Sequence, residues 1–162
     1  MKTIVTTFFL SFLSCCALGQ DRVAVAAAEA ACGPQDSQFS VTSDESRHPT
    51  PTPEGGKAVI YIVQEAPGST RVGADGKWLG ALKRGTYFAA SIEPGEHHFC
   101  ARVYILLGNH VSFHELKARA GETYYFVAHY AASDNEFALN QVDSDQGKYL
   151  VAQAKFGASR PK

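Results

Sequence analysis

Apolar residues recur at short intervals from residue 57 to residue 142, and polar turn residues separate the runs. Residues 57–64 are almost wholly apolar, β-branched or aromatic, which is typical of a buried central strand. Asp75-Gly76 is a strong signal for a two-residue hairpin turn. Since strands spaced about ten residues apart leave no room for intervening helices, the pattern predicts an antiparallel β-sandwich of about 7–9 short strands.

One helix is expected after the last strand. Residues 143–146 (Asp-Ser-Asp-Gln) form a capping box, and Tyr149, Leu150 and Ala154 would then provide one apolar stripe. Gly157 and Pro161 disfavour its continuation, so residues 157–162 are expected to be a frayed tail. The sandwich domain is thus assigned to residues 57–156, with this helix at its end.

The segment before the sandwich divides into an arm, residues 20–42, and a proline-rich connector, residues 43–56. Residues 39–41 (Phe-Ser-Val) alternate as a short strand does. Proline at positions 49, 51 and 53 rules out a helix or a central strand, because each proline lacks a backbone donor. The connector is therefore expected to be extended.

Residues 1–19 have the pattern of a signal peptide. A single cation, Lys2, precedes an apolar run, residues 4–18, that is too short to cross a bilayer. Small residues at Ala17 and Gly19 predict cleavage after Gly19. No transmembrane segment is expected in the mature chain, which would be periplasmic or secreted. Lipid anchoring through Cys15 or Cys16 is the alternative.

Composition and charge narrow the possible functions. With 45% hydrophobic residues the chain can build a core, so it is not a charged disordered segment. Its net charge of −1 provides no surplus of cations for displacing counterions, so no nucleic-acid partner is expected.

Two cysteines remain after cleavage, Cys32 in the arm and Cys100 in the sandwich. In an exported protein such a pair is most often joined, so a disulfide between them is expected. It would tie the arm back onto the sandwich.

Several segments carry a resemblance to a known family. They are residues 72–80 (Val-Gly-Ala-Asp-Gly-Lys-Trp-Leu-Gly), 87–88 (Tyr-Phe), 93–98 (Glu-Pro-Gly-Glu-His-His), 120–126 (Ala-Gly-Glu-Thr-Tyr-Tyr-Phe) and 142–143 (Val-Asp). In their order and spacing they resemble the bacterial family called "domain of unknown function 2846", which is related to the PEGA-type β-domains. The resemblance covers residues 57–149. It implies an exported β-sandwich, often periplasmic or lipid-anchored, with no established activity, and it supplies no catalytic or binding residues.

Catalytic motifs do not support an enzyme. The sequence has no Gly-x-Ser-x-Gly elbow, no His-Glu-x-x-His, no phosphate loop and no Cys-x-x-Cys. A non-enzymatic protein without a cofactor is therefore expected, and an unrecognised hydrolase is the remote alternative.

Histidines offer a metal-binding alternative. If the hairpin at residues 97–118 is centred on Leu107, Cys100 lies opposite His114, and His98 is diagonal to His114. His98, Cys100 and His114 would then form a zinc set on one face. That set requires a thiolate at Cys100, which the expected disulfide removes.

Aromatic residues are the other candidates for binding. Trp78 and Tyr104, if exposed, could stack on sugars or pack against a protein, although strand aromatics more often fill the core. The sequence therefore predicts a binding or structural module of the bacterial cell envelope, whose partner is an envelope protein or glycan.

Overall fold

The computed structural model describes residues 26, 28–29, 32–105 and 108–162. In its two long ranges the chain has ten strands and one helix, with the strands in two sheets. The predicted all-β sandwich with one short C-terminal helix is confirmed. The proposed signal peptide, its cleavage site and both of its cysteines lie outside the described residues.

The elements have the following bounds. The strands are β1 Phe39–Asp44, β2 Ala58–Gln64, β3 Ser69–Ala74, β4 Lys77–Lys83, β5 Thr86–Ile92, β6 Gly95–Ile105, β7 Gly108–Ala118, β8 Thr123–Ala131, β9 Glu136–Val142 and β10 Lys155–Pro161. The helix, α1, is Ser144–Gln153. One sheet has the order β1-β10-β5-β2-β8-β9 and the other has the order β4-β3-β6-β7.

Strand β2 is buried along its whole length, as its apolar sequence predicts. Ile60 and Ile62 face the core between the sheets, whereas Tyr61 and Val63 belong to a second apolar cluster with Val151 of α1. The six-stranded sheet is thus covered on both faces, which is why β2 shows no alternation of polar and apolar residues.

The pairing is mixed rather than purely antiparallel. Strand β2 pairs in parallel with β8, and β10 pairs in parallel with the start of β5. A parallel pair needs a long crossover connection. Here the whole four-stranded sheet lies between β2 and β8 in the chain, so strands make the crossover that helices usually make.

The end of the chain is a strand and not the expected frayed tail. Residues Lys155–Pro161 form β10, which pairs antiparallel with all six residues of β1. The predicted short strand in the arm is therefore present, and its partner is the other end of the domain. Strand β10 contains Gly157, Ala158 and Pro161 and has weak β-propensity by itself, so the pairing with β1 supplies what its local sequence lacks.

The two sheets are joined at both edges by a serine hydroxyl. Ser112 of β7 accepts a hydrogen bond from the amide of Leu139 in β9, at 2.9 Å. Ser159 of β10 accepts one from the amide of Ala81 in β4, also at 2.9 Å. These bonds satisfy backbone donors at strand edges, which would otherwise be open to pairing with another chain.

Helix α1 begins as predicted, and two of the three residues expected in its apolar stripe, Leu150 and Ala154, pack against the second apolar cluster. The carboxylate of Asp143 accepts hydrogen bonds from the amides of Asp145 and Gln146, each at 2.9 Å. Tyr149, expected in the apolar stripe, is 62% exposed. The buried helix positions are Gly147 and Val151. In the described part of the chain, no helix has the length and apolar character needed to cross a bilayer.

Candidate binding surface

The arm is fixed to the outer face of the four-stranded sheet by the predicted disulfide. Cys32 and Cys100 are joined, with their Cα atoms 5.1 Å apart, and both are buried. Gly73 lies beside this bridge on β3, and a Cβ at that position would stand 2.2 Å from the Cys32 carbonyl oxygen. The arm therefore packs directly on backbone, which only glycine allows.

Two arginines lie beneath the arm, directly opposite each other on neighbouring strands. Arg71 of β3 and Arg102 of β6 are cross-strand partners, and they are 9% and 4% exposed. Like charges in such positions repel each other, and burial adds a desolvation cost. For Arg102 this cost is offset by an ion pair with Glu29 of the arm, with Nη2 2.7 Å from Oε2, and by a hydrogen bond that Nη1 donates to the side chain of Gln35.

Arg71 is held differently, by carbonyl oxygens and aromatic rings. Its Nη1 donates to the Ser37 carbonyl at 2.5 Å and to the Gln35 carbonyl at 3.3 Å. The guanidinium carbon lies 4.7 Å from the centre of the Trp78 ring and 5.7 Å from that of Tyr104. The ion pairs of the described residues leave Arg71 without a carboxylate partner.

Sequence reasoning found both aromatic rings but missed the arginine between them. Trp78 is half-buried, and its indole Nε1 donates to the Pro34 carbonyl at 2.8 Å, so it mainly holds the arm. Tyr104 is 54% exposed. The signal for Arg71 is a charged residue in the middle of the strand that leads to the Asp75-Gly76 hairpin turn.

A cavity of about 400 Å³ opens beside Arg71 and Tyr104. Its other lining residues come from the arm, from the neighbouring strands and from the last described residue: Gln35, Asp36, Ser37, Gln38, Phe39, Ser69, Ala81 and Lys162. Amide and hydroxyl side chains, one buried guanidinium and one exposed ring are groups that bind polar ligands with an apolar face. We name this cavity and Tyr104 the Arg71 groove.

The alternative zinc set is not brought together. In the observed register His114 is opposite Phe99, and Cys100 is opposite Phe113. This register differs by one residue from the expected one, and a slip of one residue moves a side chain to the other face. The His114 ring packs edge-on against the core residue Phe126, whereas Cys100 forms the disulfide on the outer face. Among the described residues, no group of three potential metal ligands is found.

One histidine–carboxylate pair was not predicted. His97 Nδ1 lies 2.6 Å from Asp75 Oδ2, and its Nε2 lies 2.7 Å from the Glu93 carbonyl oxygen. Both neighbours are acceptors, so only the imidazolium satisfies both nitrogens. Burial lowers the pKa of His97, but the bonds to Asp75 and Glu93 outweigh it, and the pKa is raised overall. With neither nitrogen free to accept a proton, the pair is a structural clamp on the β3–β4 turn.

The proline-rich connector lies on the outer face of the six-stranded sheet, over three tyrosines. Tyr61 and Tyr87 donate their hydroxyl protons to the carbonyls of Pro51 and Pro49, at 2.8 and 3.0 Å. The ring of Tyr125 stacks on that of Tyr61, with centroids 5.2 Å apart. Burial, with smaller contributions from Tyr125 and Tyr87, raises the pKa of Tyr61 to about 12. Residues 45–56 of the connector contain neither helix nor strand, and the connector covers these rings.

A second cavity, of about 610 Å³, lies at the carboxyl ends of the parallel strands β2 and β8. Glu65 and His129 line it and face each other, with Oε2 3.7 Å from Nδ1. Both side chains are about half exposed, so this pair contributes little to either stability or the binding of a charge.

Comparison of the sequence with known proteins does not assign the chain to a family. No family model matches the chain, and a search of curated proteins found no significant match. The resemblance to the "domain of unknown function 2846" family therefore stays a prediction.

Proposed function

We propose that the protein is an exported, non-enzymatic β-sandwich that acts as a binding module of the bacterial cell envelope, with the Arg71 groove as its binding surface. The observation that carries this proposal is the arrangement around Arg71. A buried guanidinium and the exposed ring of Tyr104 lie at the mouth of one polar cavity. A purely structural module needs no such combination, because a desolvated cation lowers stability unless it is paired.

Export is supported by the disulfide between Cys32 and Cys100. Such bonds persist in oxidising compartments and are rare in the cytosol. The non-enzymatic assignment is supported at His97, where Asp75 binds Nδ1 and the Glu93 carbonyl occupies Nε2, the nitrogen that a histidine oriented by a carboxylate would need as a general base.

The proposal is tested by measuring how much of the protein sediments with isolated cell-envelope fractions, with and without a chelator. Wild-type protein is expected to sediment with the envelope, and the chelator is expected to have no effect. Tyr104→Ala should reduce retention severalfold, because it removes the exposed ring of the groove. Tyr149→Ala is the matched control, since Tyr149 is also a mostly exposed tyrosine but lies on α1 against the other sheet.

Three results would contradict the proposal. The first is a wild-type protein that does not sediment with any envelope fraction. The second is equal loss of retention in Tyr104→Ala and Tyr149→Ala, which would indicate nonspecific adsorption. The third is about one tightly bound zinc per chain in protein purified without added metal, which would favour the metal-binding alternative instead.

A further inference from the structure

Arg71 has hydrogen-bonding capacity that the described residues do not use. A guanidinium carries five N–H donors. Its Nη1 donates two hydrogen bonds to backbone carbonyls of the arm, and its Nη2 donates one to the Tyr104 hydroxyl, at 3.4 Å. No described residue accepts a bond from Nε. The side of the guanidinium formed by Nε and Nη2 is one of the two edges that can hold a carboxylate with two parallel bonds.

The charges near this edge are unequal. Of the two buried arginines, Arg102 pairs with the Glu29 carboxylate, whereas no described carboxylate forms an ion pair with Arg71. The side chains of Asp36 and Lys162 also line the cavity, one of each sign, so among the described side chains that line it the positive charge of Arg71 is in excess. A buried charge is normally paired, so a bound anion would complete the site.

The remaining lining is suited to a sugar. The amide of Gln38 can bond sugar hydroxyls in either direction. Gln35 Oε1 accepts from Arg102, so the Gln35 amide can still donate. The Ser69 hydroxyl donates to a backbone carbonyl of β4, so its oxygen can still accept. Tyr104 offers an exposed ring beside the guanidinium, on which the apolar face of a pyranose can lie. A free inorganic anion would use the charge but not the ring.

We propose that the Arg71 groove binds an acidic saccharide, with the carboxylate of a uronic acid on Arg71 and the sugar ring against Tyr104. This inference rests on the proposed binding function and specifies the ligand class of the same surface.

The test uses the full chain and three probes: oligomers of galacturonate, of mannuronate and of glucuronate. Trp78 is the single tryptophan and its ring lies 4.7 Å from the Arg71 guanidinium, so its fluorescence reports binding at that position. At least one oligomer is expected to bind and to change the Trp78 emission. Its methyl ester should bind roughly tenfold or more weakly, because esterification removes a charge-assisted hydrogen-bonded pair.

Variants locate the contact. Arg71→Lys should weaken binding of the acid but not of the ester, because an ammonium lacks the two-pronged geometry. Arg84→Gln removes an exposed arginine of the β4–β5 turn and should leave affinity unchanged. Even if Arg71→Lys does not fold, the comparison of acid and ester on wild-type protein decides the question.

Failure of all three oligomers to bind would overturn the inference, as would equal affinity for acid and ester. A short peptide with a free C-terminal carboxylate is the competitor. If it displaces the oligomer at a tenfold lower concentration than the oligomer requires, the ligand of the groove is a peptide and not a saccharide. In any of these cases, retention on the envelope that still depends on Tyr104 would support the proposed binding function. Failure of the saccharide inference can therefore be distinguished from failure of the binding function.

Discussion

Gly73 lies so close beneath Cys32 that a Cβ at position 73 would stand 2.2 Å from the Cys32 carbonyl oxygen. The contact joins the arm to β3 at the point where the disulfide joins it to β6. Arm and sheet are therefore a single packed unit, and the Arg71 groove exists only while the arm is in place, because arm residues line much of it.

Gly73→Ala should displace the arm. Gly73 has no positive φ, so the cost comes from overlap with the arm and not from backbone strain. Overpacking of this kind lowers the free energy of unfolding by roughly 1–3 kcal/mol. Chemical denaturation followed by Trp78 fluorescence measures it. In a double-mutant cycle with Cys32→Ser, the cost of Gly73→Ala should shrink, since a released arm can move away; strict additivity would contradict the arm contact.

Replacing both cysteines by serine should lower the free energy of unfolding by about 4 kcal/mol, because the bridge closes a loop across a sequence separation of 68 residues. Thermal melts with and without reductant measure the effect. Reductant should lower the melting temperature of the wild-type protein and leave the double variant unchanged. Recovery of Cys32 and Cys100 as free thiols in non-reducing peptide mapping would show that the bridge does not form.

Sequence was sufficient where a local signal is strong. The all-apolar run of β2 and the Asp75-Gly76 turn led directly to a central strand and a hairpin, and both are present. In the turn, Asp75 has a φ of 52°, a conformation that aspartate tolerates better than most residues.

Sequence was insufficient where the outcome depends on a distant partner. The β6–β7 hairpin pairs Ile105 with Gly108, whereas the sequence pattern predicts a hairpin centred on Leu107. The apolar residues between them lack the Asn-Gly type of signal that fixes a turn, so the register could not be read. Dependence on a distant partner also explains why β10 could not be predicted, because its partner β1 lies at the other end of the domain. It likewise explains why the burial of Arg71 could not be predicted, because that burial depends on the docked arm.

Helix α1 provides a prediction in which two effects oppose each other. Alanine favours a helix interior over glycine by about 1 kcal/mol. At Gly147, however, a Cβ would stand 2.2 Å from Cγ of Tyr125, on which the helix packs. The overlap should outweigh propensity, so Gly147→Ala is expected to lower the free energy of unfolding by about 1 kcal/mol or more. Lys148→Ala, at an exposed helix position, is the control and should be neutral. A stabilised Gly147→Ala would show that the helix does not lie against Tyr125.

Export is tested at the N-terminus of the mature chain. Mass spectrometry of protein isolated from an expressing bacterium should show cleavage after Gly19, because the residues before it have the signal-peptide pattern. A mature chain that begins at Cys15 or Cys16 and carries acyl groups would instead establish lipid anchoring. An uncleaved chain would contradict both.

The clamp between Asp75 and His97 should make stability depend on pH in two opposite directions. The pKa of His97 is raised from its ordinary value of 6.5, so its contribution is present below that pH and is lost as the pH rises through the folded-state pKa. Burial raises the pKa of Asp75, but the bonds from His97 and from the His98 amide outweigh it and lower the pKa below 3.8. The contribution of Asp75 is therefore present above pH 3.8 and is lost as the pH falls through its folded-state pKa.

Asp75→Asn isolates this effect. Asparagine tolerates the positive φ of the turn, and its carbonyl oxygen can still accept the bond from the His98 amide, which Asp75 Oδ1 accepts at 2.9 Å. It removes only the negative charge beside His97. The pKa of His97, followed by NMR titration, should fall in the variant, and the decline in melting temperature between about pH 6 and 8 should become shallower. Glu115→Gln is the control, because Glu115 meets His98 at 3.5 Å with both side chains mostly exposed and should change neither quantity. An unchanged His97 pKa in Asp75→Asn would show that the carboxylate does not hold the imidazolium.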